Sequence, residues 1–298
     1  MESQTIKVEN VQVFVWSTIG GWELPQEQDK QDKKEPWIQW RTKDFKDEQD
    51  SSLAIAAMRS LKENDLIWIV TSKFNYLSRV KDKKLYDADF FDTIASISYI
   101  PIINVYDFIK VGYWDDLPGY VQYEKSHLEA TFRRIDDTEK ISTAVYNRLK
   151  GERIYETISF SRTEWFQKMI SPYQDIEDII GLYLQVEKHY LPYIETYRQY
   201  YLCGEGCSMV KEDGSHKCFL HVIIDENFRN LLNEDDFVRL TENGKNYVYL
   251  FATDSKYIKE YDNENIIYLD TDAILNFTES HEYLLPKRVK LWLQYVNA

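Results

Sequence analysis

Glycine and proline are scarce in this chain of 298 residues, at 10 and 7, and cysteine occurs only three times. So few breakers exclude a collagenous or glycine-rich low-complexity chain, and 44% hydrophobic residues place the sequence among globular proteins. Three cysteines cannot build a disulfide framework, and the N-terminal MESQTIKVEN is polar, so a reducing cytoplasm is the expected setting. No apolar run approaches the ~18 residues of a membrane span, which predicts no membrane association. Neither G-x-x-x-x-G-K-[ST] nor G-x-G-x-x-G occurs, leaving nucleotide binding of those types without support. Positive charge is also in deficit: 36 Lys and Arg against 50 Asp and Glu give −14. That balance disfavours a large basic surface for non-specific DNA binding and favours a protein partner or a homo-oligomer.

What the chain has in excess is aromatic, with 23 Tyr, 14 Phe and 8 Trp. Trp16, Trp22, Trp37, Trp40 and Trp68 all fall in the first 70 residues. Such rings either pack a core or line a pocket for planar groups. IKVENVQVFVW (6–16) alternates apolar and polar as a half-buried strand does. QEQDKQDKKE (26–35) is a charged loop. Ser51 or Ser52 is expected to cap a helix through SLAIAAMRSLKEN, and LIWIVTSKF (66–74) reads as a buried strand. A strand pair is expected near 95–106, with Pro101 at an edge or bulge. Apolar residues at helical spacing over 126–150 predict a helical connector stopped by Gly151.

Residues 1–122 are therefore expected to form a β-rich, sensor- or adaptor-like domain, 123–158 a helical connector and 159–298 a second domain. LKENDLIWIVTSKF resembles a segment of the PUA-like family that includes EVE domains. The resemblance implies an aromatic pocket for modified bases lined by Trp37, Trp40 and Trp68. The opposing reading is that all three simply pack.

The C-terminal portion has the clearer patterns. Ser161-Arg-Thr-Glu164 has the spacing of a capping box. From Gln174, Ile176, Ile179, Ile180, Tyr183, Leu184 and Glu187 form one stripe of an amphipathic helix. HKCFLHVIID, NYVYLFAT and NIIYL read as strands, NEDDFVRL as a short helix, and PKRVKLWLQYV as a closing helix with Pro at its start. The order is α–β–β–β–α–β, an α/β (α+β) class with a mixed sheet flanked by helices.

DIEDIIGLYLQVEKHYLP resembles the first core helix of restriction-endonuclease-like, PD-(D/E)xK-type nucleases, and the tail resembles the closing elements of that family. The resemblance covers about residues 160–298. It implies acids that hold Mg²⁺ and activate water on a phosphodiester. Glu177 matches the helix acid and Glu205 the strand acid. The family's Q-V-K falls on His221-Val222-Ile223, where isoleucine cannot replace an ammonium. Lys217 and Lys211 are the nearest lysines, and neither has the required spacing. The resemblance thus implies a nuclease-like protein acting on or recognising nucleic acid, in anti-phage defence or restriction, with a degenerate active site. The alternative is a non-catalytic interaction or scaffold subunit of a larger complex.

Cys203, Cys207, His216, Cys218 and His221 fall within nineteen positions and include every cysteine. They offer ligands for a structural Zn²⁺, although the spacing is not that of a C-x2-C knuckle. Buried thiols with unrelated histidines are the competing reading.

Overall fold

The computed structural model describes residues 5–18, 36–39, 45–87, 99–126, 130–170, 174–192, 207–223, 234–242, 244–258 and 261–295. The chain divides into two compact units, residues 1–158 and 159–298. Both are mixed α/β, each with a mixed sheet flanked by helices.

In the N-terminal unit the strands are β1 Val13–Ser17, β2 Trp37–Gln39, β3 Leu66–Val70, β4 Asn75–Asp87, β5 Tyr99–Val105, β6 Ile109–Gly112 and β7 Phe132–Arg134. They form one sheet in the order β2-β5-β4-β3-β1-β7, with β6 added against the start of β4. Only β1 and β3 run parallel; the other pairs are antiparallel. Strand alternation sends Ile67 and Ile69 to one face and Trp68 to the other. Helix α1 (Glu48–Ser60) covers the first face, where Phe14, Trp16, Ala54, Ile55, Met58, Ile67 and Ile69 share a buried cluster. Helix α3 (Glu139–Lys150) reaches the second face through Ser142; the short α2 (Gly119–Ser126) precedes β7.

Several local expectations shift here, each for an identifiable reason. The strand expected over 6–16 begins only at Val13, because Val8–Asn10 turn as a 3-10 helix and the Val8 N–H donates to Glu156 (3.0 Å). Helix α1 starts at Glu48 instead of after Ser51 or Ser52, since the Asp47 carboxylate accepts the Asp50 N–H. The run 66–74 ends as a strand at Val70, where the Thr71 hydroxyl donates to the Phe74 carbonyl and accepts two backbone N–H groups. Pro101 lies within β5 beyond the three residues that β2 pairs, which suits a residue with no N–H to give. The helical connector expected over 126–150 contains a strand: Phe132–Arg134 pair with β1. Asp137 then takes a left-handed φ of 57° before α3 begins. Gly151 caps α3 at φ 71°, as expected.

In the C-terminal unit, α4 (Arg162–Lys168) and α5 (Gln174–Val186) lead into β8 Tyr190–Pro192, β9 Cys207–Lys211 and β10 Lys217–Ile223. Helix α6 (Glu234–Thr241) connects to β11 Tyr247–Ala252, followed by β12 Ile266–Tyr268, α7 (Thr271–Ser280) and α8 (Lys287–Leu293). The sheet order is β12-β11-β10-β9-β8. The strands β8, β9 and β10 are an antiparallel meander; β10, β11 and β12 are parallel. The capping box forms as its spacing predicts: Ser161 Oγ accepts the Glu164 N–H (3.1 Å) and Glu164 accepts the Ser161 N–H (2.9 Å). Ile176, Ile179, Ile180 and Leu184 of α5 are all buried, each contributing about 1.5–3 kcal/mol. No helix among the described residues is long and apolar enough to cross a membrane.

Candidate functional site

The sheet of the C-terminal unit has two distinguishable faces. Parallel register pairs Leu220 with Tyr249 and Val222 with Phe251, and paired residues share a face. Phe251 packs against Phe166 of α4 (ring centroids 5.5 Å), and Tyr249 lies within electrostatic range of Tyr183 of α5. Cys218, Leu220 and Val222 therefore point to the side of α4 and α5. Phe219 and His221 pair with Val248 and Leu250 on the other side, where Leu240 of α6 closes a cluster with Phe219.

This geometry separates the acids and bases suggested by sequence. Glu177 is half-buried in the first turn of α5. His221 is buried in β10 on the face opposite that helix, so the two are not brought onto one face. Lys217 opens β10, its N–H donating to Asn246 Oδ1 (3.1 Å). Four residues of strand, about 13 Å, separate it from His221, which is beyond the reach of its ammonium. Lys211 ends β9, where its Nζ donates to the Lys188 carbonyl and lies 5.0 Å from the Tyr190 ring. Ile223 is buried at the far end of β10. Glu205 lies outside the described residues.

One charged contact at α5 involves residues not singled out in the sequence. Asp175, almost fully buried, accepts from Arg288 Nε of α8 (2.5 Å), and Arg288 Nη2 stands 3.9 Å from Asp178. Burial and the neighbouring Asp175 charge push the Asp178 carboxyl up, and Arg288 pulls it down. Acids three apart in a first helical turn were the available signal, but their partner lies over a hundred positions away.

A second constellation sits at the β9–β10 hairpin. His216 is 2.8 Å through Nδ1 from Ser215 Oγ and 2.8 Å through Nε2 from the Tyr190 hydroxyl. Its ring stands edge-on to Tyr190 (5.6 Å) and Tyr247 (4.8 Å). Burial, followed by the hydrogen bond with Tyr249, drives the Tyr190 phenol far above its ordinary range, so it stays protonated. With both ring nitrogens held by hydroxyls, His216 has no lone pair directed to a metal in this arrangement. Cys218 is fully buried in the sheet. Cys207 is placed by its backbone opposite Leu220, and Cys203 lies outside the described residues. Among the described residues no three His, Cys, Asp or Glu side chains are grouped to hold a metal ion.

The two described tryptophans of the expected pocket, Trp37 and Trp68, are also apart. Trp68 is fully buried, its indole N–H donating to Ser142 Oγ (2.8 Å). Trp37 is partly exposed on β2. Three strand spacings lie between β2 and β3, about 14 Å, so the two rings do not line one pocket. Trp40 lies outside the described residues. No family model matches the chain, no curated protein matches it, and no solved structure matches it.

Proposed function

We propose that the C-terminal unit is a restriction-endonuclease-like scaffold without its own cutting centre, and that the chain recognises nucleic acid in defence against foreign DNA or RNA. The observation carrying this reading is the order α5-β8-β9-β10-α6-β11. In it an antiparallel three-strand meander is followed by a helical crossover to a parallel neighbour. The resemblance of α5 and the tail to PD-(D/E)xK nucleases supports the same assignment. Cleavage as in the resembled family uses carboxylates that share a Mg²⁺ ion, with an ammonium beside them. Buried Ile223 in place of that ammonium, and His221 on the face away from α5, support loss of the reaction. Among the described residues no group of carboxylates is placed to hold a Mg²⁺ ion. The net charge of −14 favours a second reading, a scaffold that binds a basic protein partner.

The test is purified full-length protein with labelled single- and double-stranded DNA and RNA in Mg²⁺ or Mn²⁺. Binding without cleavage is expected. Metal-dependent cleavage abolished by Glu177→Ala would overturn the assignment of a silent centre. Absence of any nucleic-acid binding, with recovery of a stoichiometric basic protein from the native host, would favour the scaffold instead.

A further inference from the structure

The N-terminal unit carries an exposed surface that combines lysine with aromatic rings, unusual in so acidic a chain. At the start of β4 the register sets Asn75 against Gly112 of β6, which brings Phe74 beside Tyr113 (ring centroids 5.1 Å). Lys110 Nζ lies 3.3 Å from the centre of the Phe74 ring and Lys73 Nζ 5.7 Å. Trp114 follows Tyr113 directly, and Lys125 of α2 stands 5.2 Å from its ring. Tyr113 is 62% exposed and Trp114 37%, so both rings present area to solvent.

The turn that presents them is constrained. Gly112 has φ 147°, and a Cβ there would lie 2.2 Å from the Asp116 carboxylate. That carboxylate turns inward to accept the Tyr113 N–H (2.8 Å) and closes a 3-10 turn over Trp114–Asp116. Asp116 thus spends its charge on the backbone, which leaves Asp115 as the exposed carboxylate of the turn.

We propose that Phe74, Tyr113 and Trp114, with Lys73, Lys110 and Lys125, form a binding surface for single-stranded nucleic acid. This rests on the nucleic-acid role proposed above and names its partner as the unpaired strand. Unstacked bases lie on aromatic faces, and the ammonium groups meet the phosphates between them. A duplex hides its base faces and would leave the two exposed rings unused. A membrane interface also accepts Trp and Tyr beside lysines, and the vesicle arm of the experiment below separates that partner from the unpaired strand. The exposed large hydrophobics described between residues 73 and 125 are Tyr106, Tyr113 and Trp114, all aromatic.

The experiment measures binding of the full-length chain to fluorescein-labelled oligodeoxythymidine and oligouridine, to a DNA duplex, and to phosphatidylserine vesicles. Tyr113→Ala and Trp114→Ala are each expected to weaken single-strand binding about ten-fold, and Tyr113→Phe to retain it. Lys110→Ala should reduce the slope of log affinity against log salt by about 0.7, a readout that a merely structural role would not move. Circular dichroism establishes that each variant is folded. Single-strand binding that changes less than about two-fold in both ring variants, with an unaltered salt slope in Lys110→Ala, overturns this surface while the wider nucleic-acid role stands. Binding of duplex alone, or of vesicles alone, also overturns it. No binding to any nucleic acid defeats both proposals together.

Discussion

Ser142→Ala leaves the Trp68 indole N–H buried with its acceptor gone, in a site where both residues are fully inaccessible to water. An orphaned buried donor costs about 1–3 kcal/mol. Trp68→Phe removes the donor from the other side, orphans Ser142 Oγ and shrinks a packed side chain, for a loss of about 2–4 kcal/mol. Because the double variant carries neither orphan, it should be less destabilised than the sum of the singles, with a coupling of about 1–2 kcal/mol. Urea unfolding followed by far-ultraviolet circular dichroism is the suitable assay, since tryptophan fluorescence changes with the substitution itself. Additivity within about 0.3 kcal/mol would refute the coupling. A folded, undiminished Trp68→Phe protein that loses nucleic-acid affinity would instead return Trp68 to a ligand pocket.

Two further predictions concern buried carboxylates. Asp65 accepts the Gln12 N–H (2.9 Å) and the Lys62 N–H (2.7 Å) at the junction of β1, α1 and β3. Burial raises its carboxyl above the ordinary aspartate range more than those bonds lower it. The native state therefore holds the proton more tightly. Stability from this group is fully present below the unfolded value and is lost as pH rises through the folded one. The stability of wild type relative to Asp65→Asn should accordingly increase as pH falls from neutrality towards 3.8; a difference that shrinks over that range refutes it. In the C-terminal unit, Arg288→Met leaves buried Asp175 without its cation and should cost about 3 kcal/mol in thermal or urea unfolding. Adding Asp175→Asn should recover part of that loss, and no recovery would place the effect elsewhere.

Some features set by neighbours in sequence were legible, although the Asp47 cap of α1 and the Thr71 turn, equally local, were not; features set by distant partners were not. The Ser161–Glu164 cap and the α5 stripe depend on spacing within one or two turns, and both form as read. The strand at Phe132–Arg134 was hidden because its pairing with β1 spans over a hundred positions and overrides a helical pattern. Trp68 reads equally as core or pocket until Ser142 arrives from α3. At the candidate site, residue types were visible in the sequence but their faces were not. Strand alternation in β10 and the register with β11 decide that Cys218 faces α5 and His221 faces α6. His216, one of the five residues that suggested zinc, meets hydroxyls at both ring nitrogens, one its sequence neighbour and one twenty-six positions away.

On the proposed nuclease-like reading, the same alternation bears on how the sheet could lose its reaction without losing its fold. His221 and Ile223 are two apart, so they share one side of β10, and both are buried. A lysine at position 223 would hold an ammonium in that setting, which is costly unless carboxylates and a metal are arranged around it. Isoleucine there removes the cost and adds about 1.5–3 kcal/mol of apolar burial. The same position thus either serves catalysis at the expense of stability or packs the end of the sheet. On that reading, a site released from hydrolysis is free to pack, and the proposed recognition falls to surfaces outside the strand ends. The exposed rings and lysines around Tyr113 and Trp114 are the surface proposed for it.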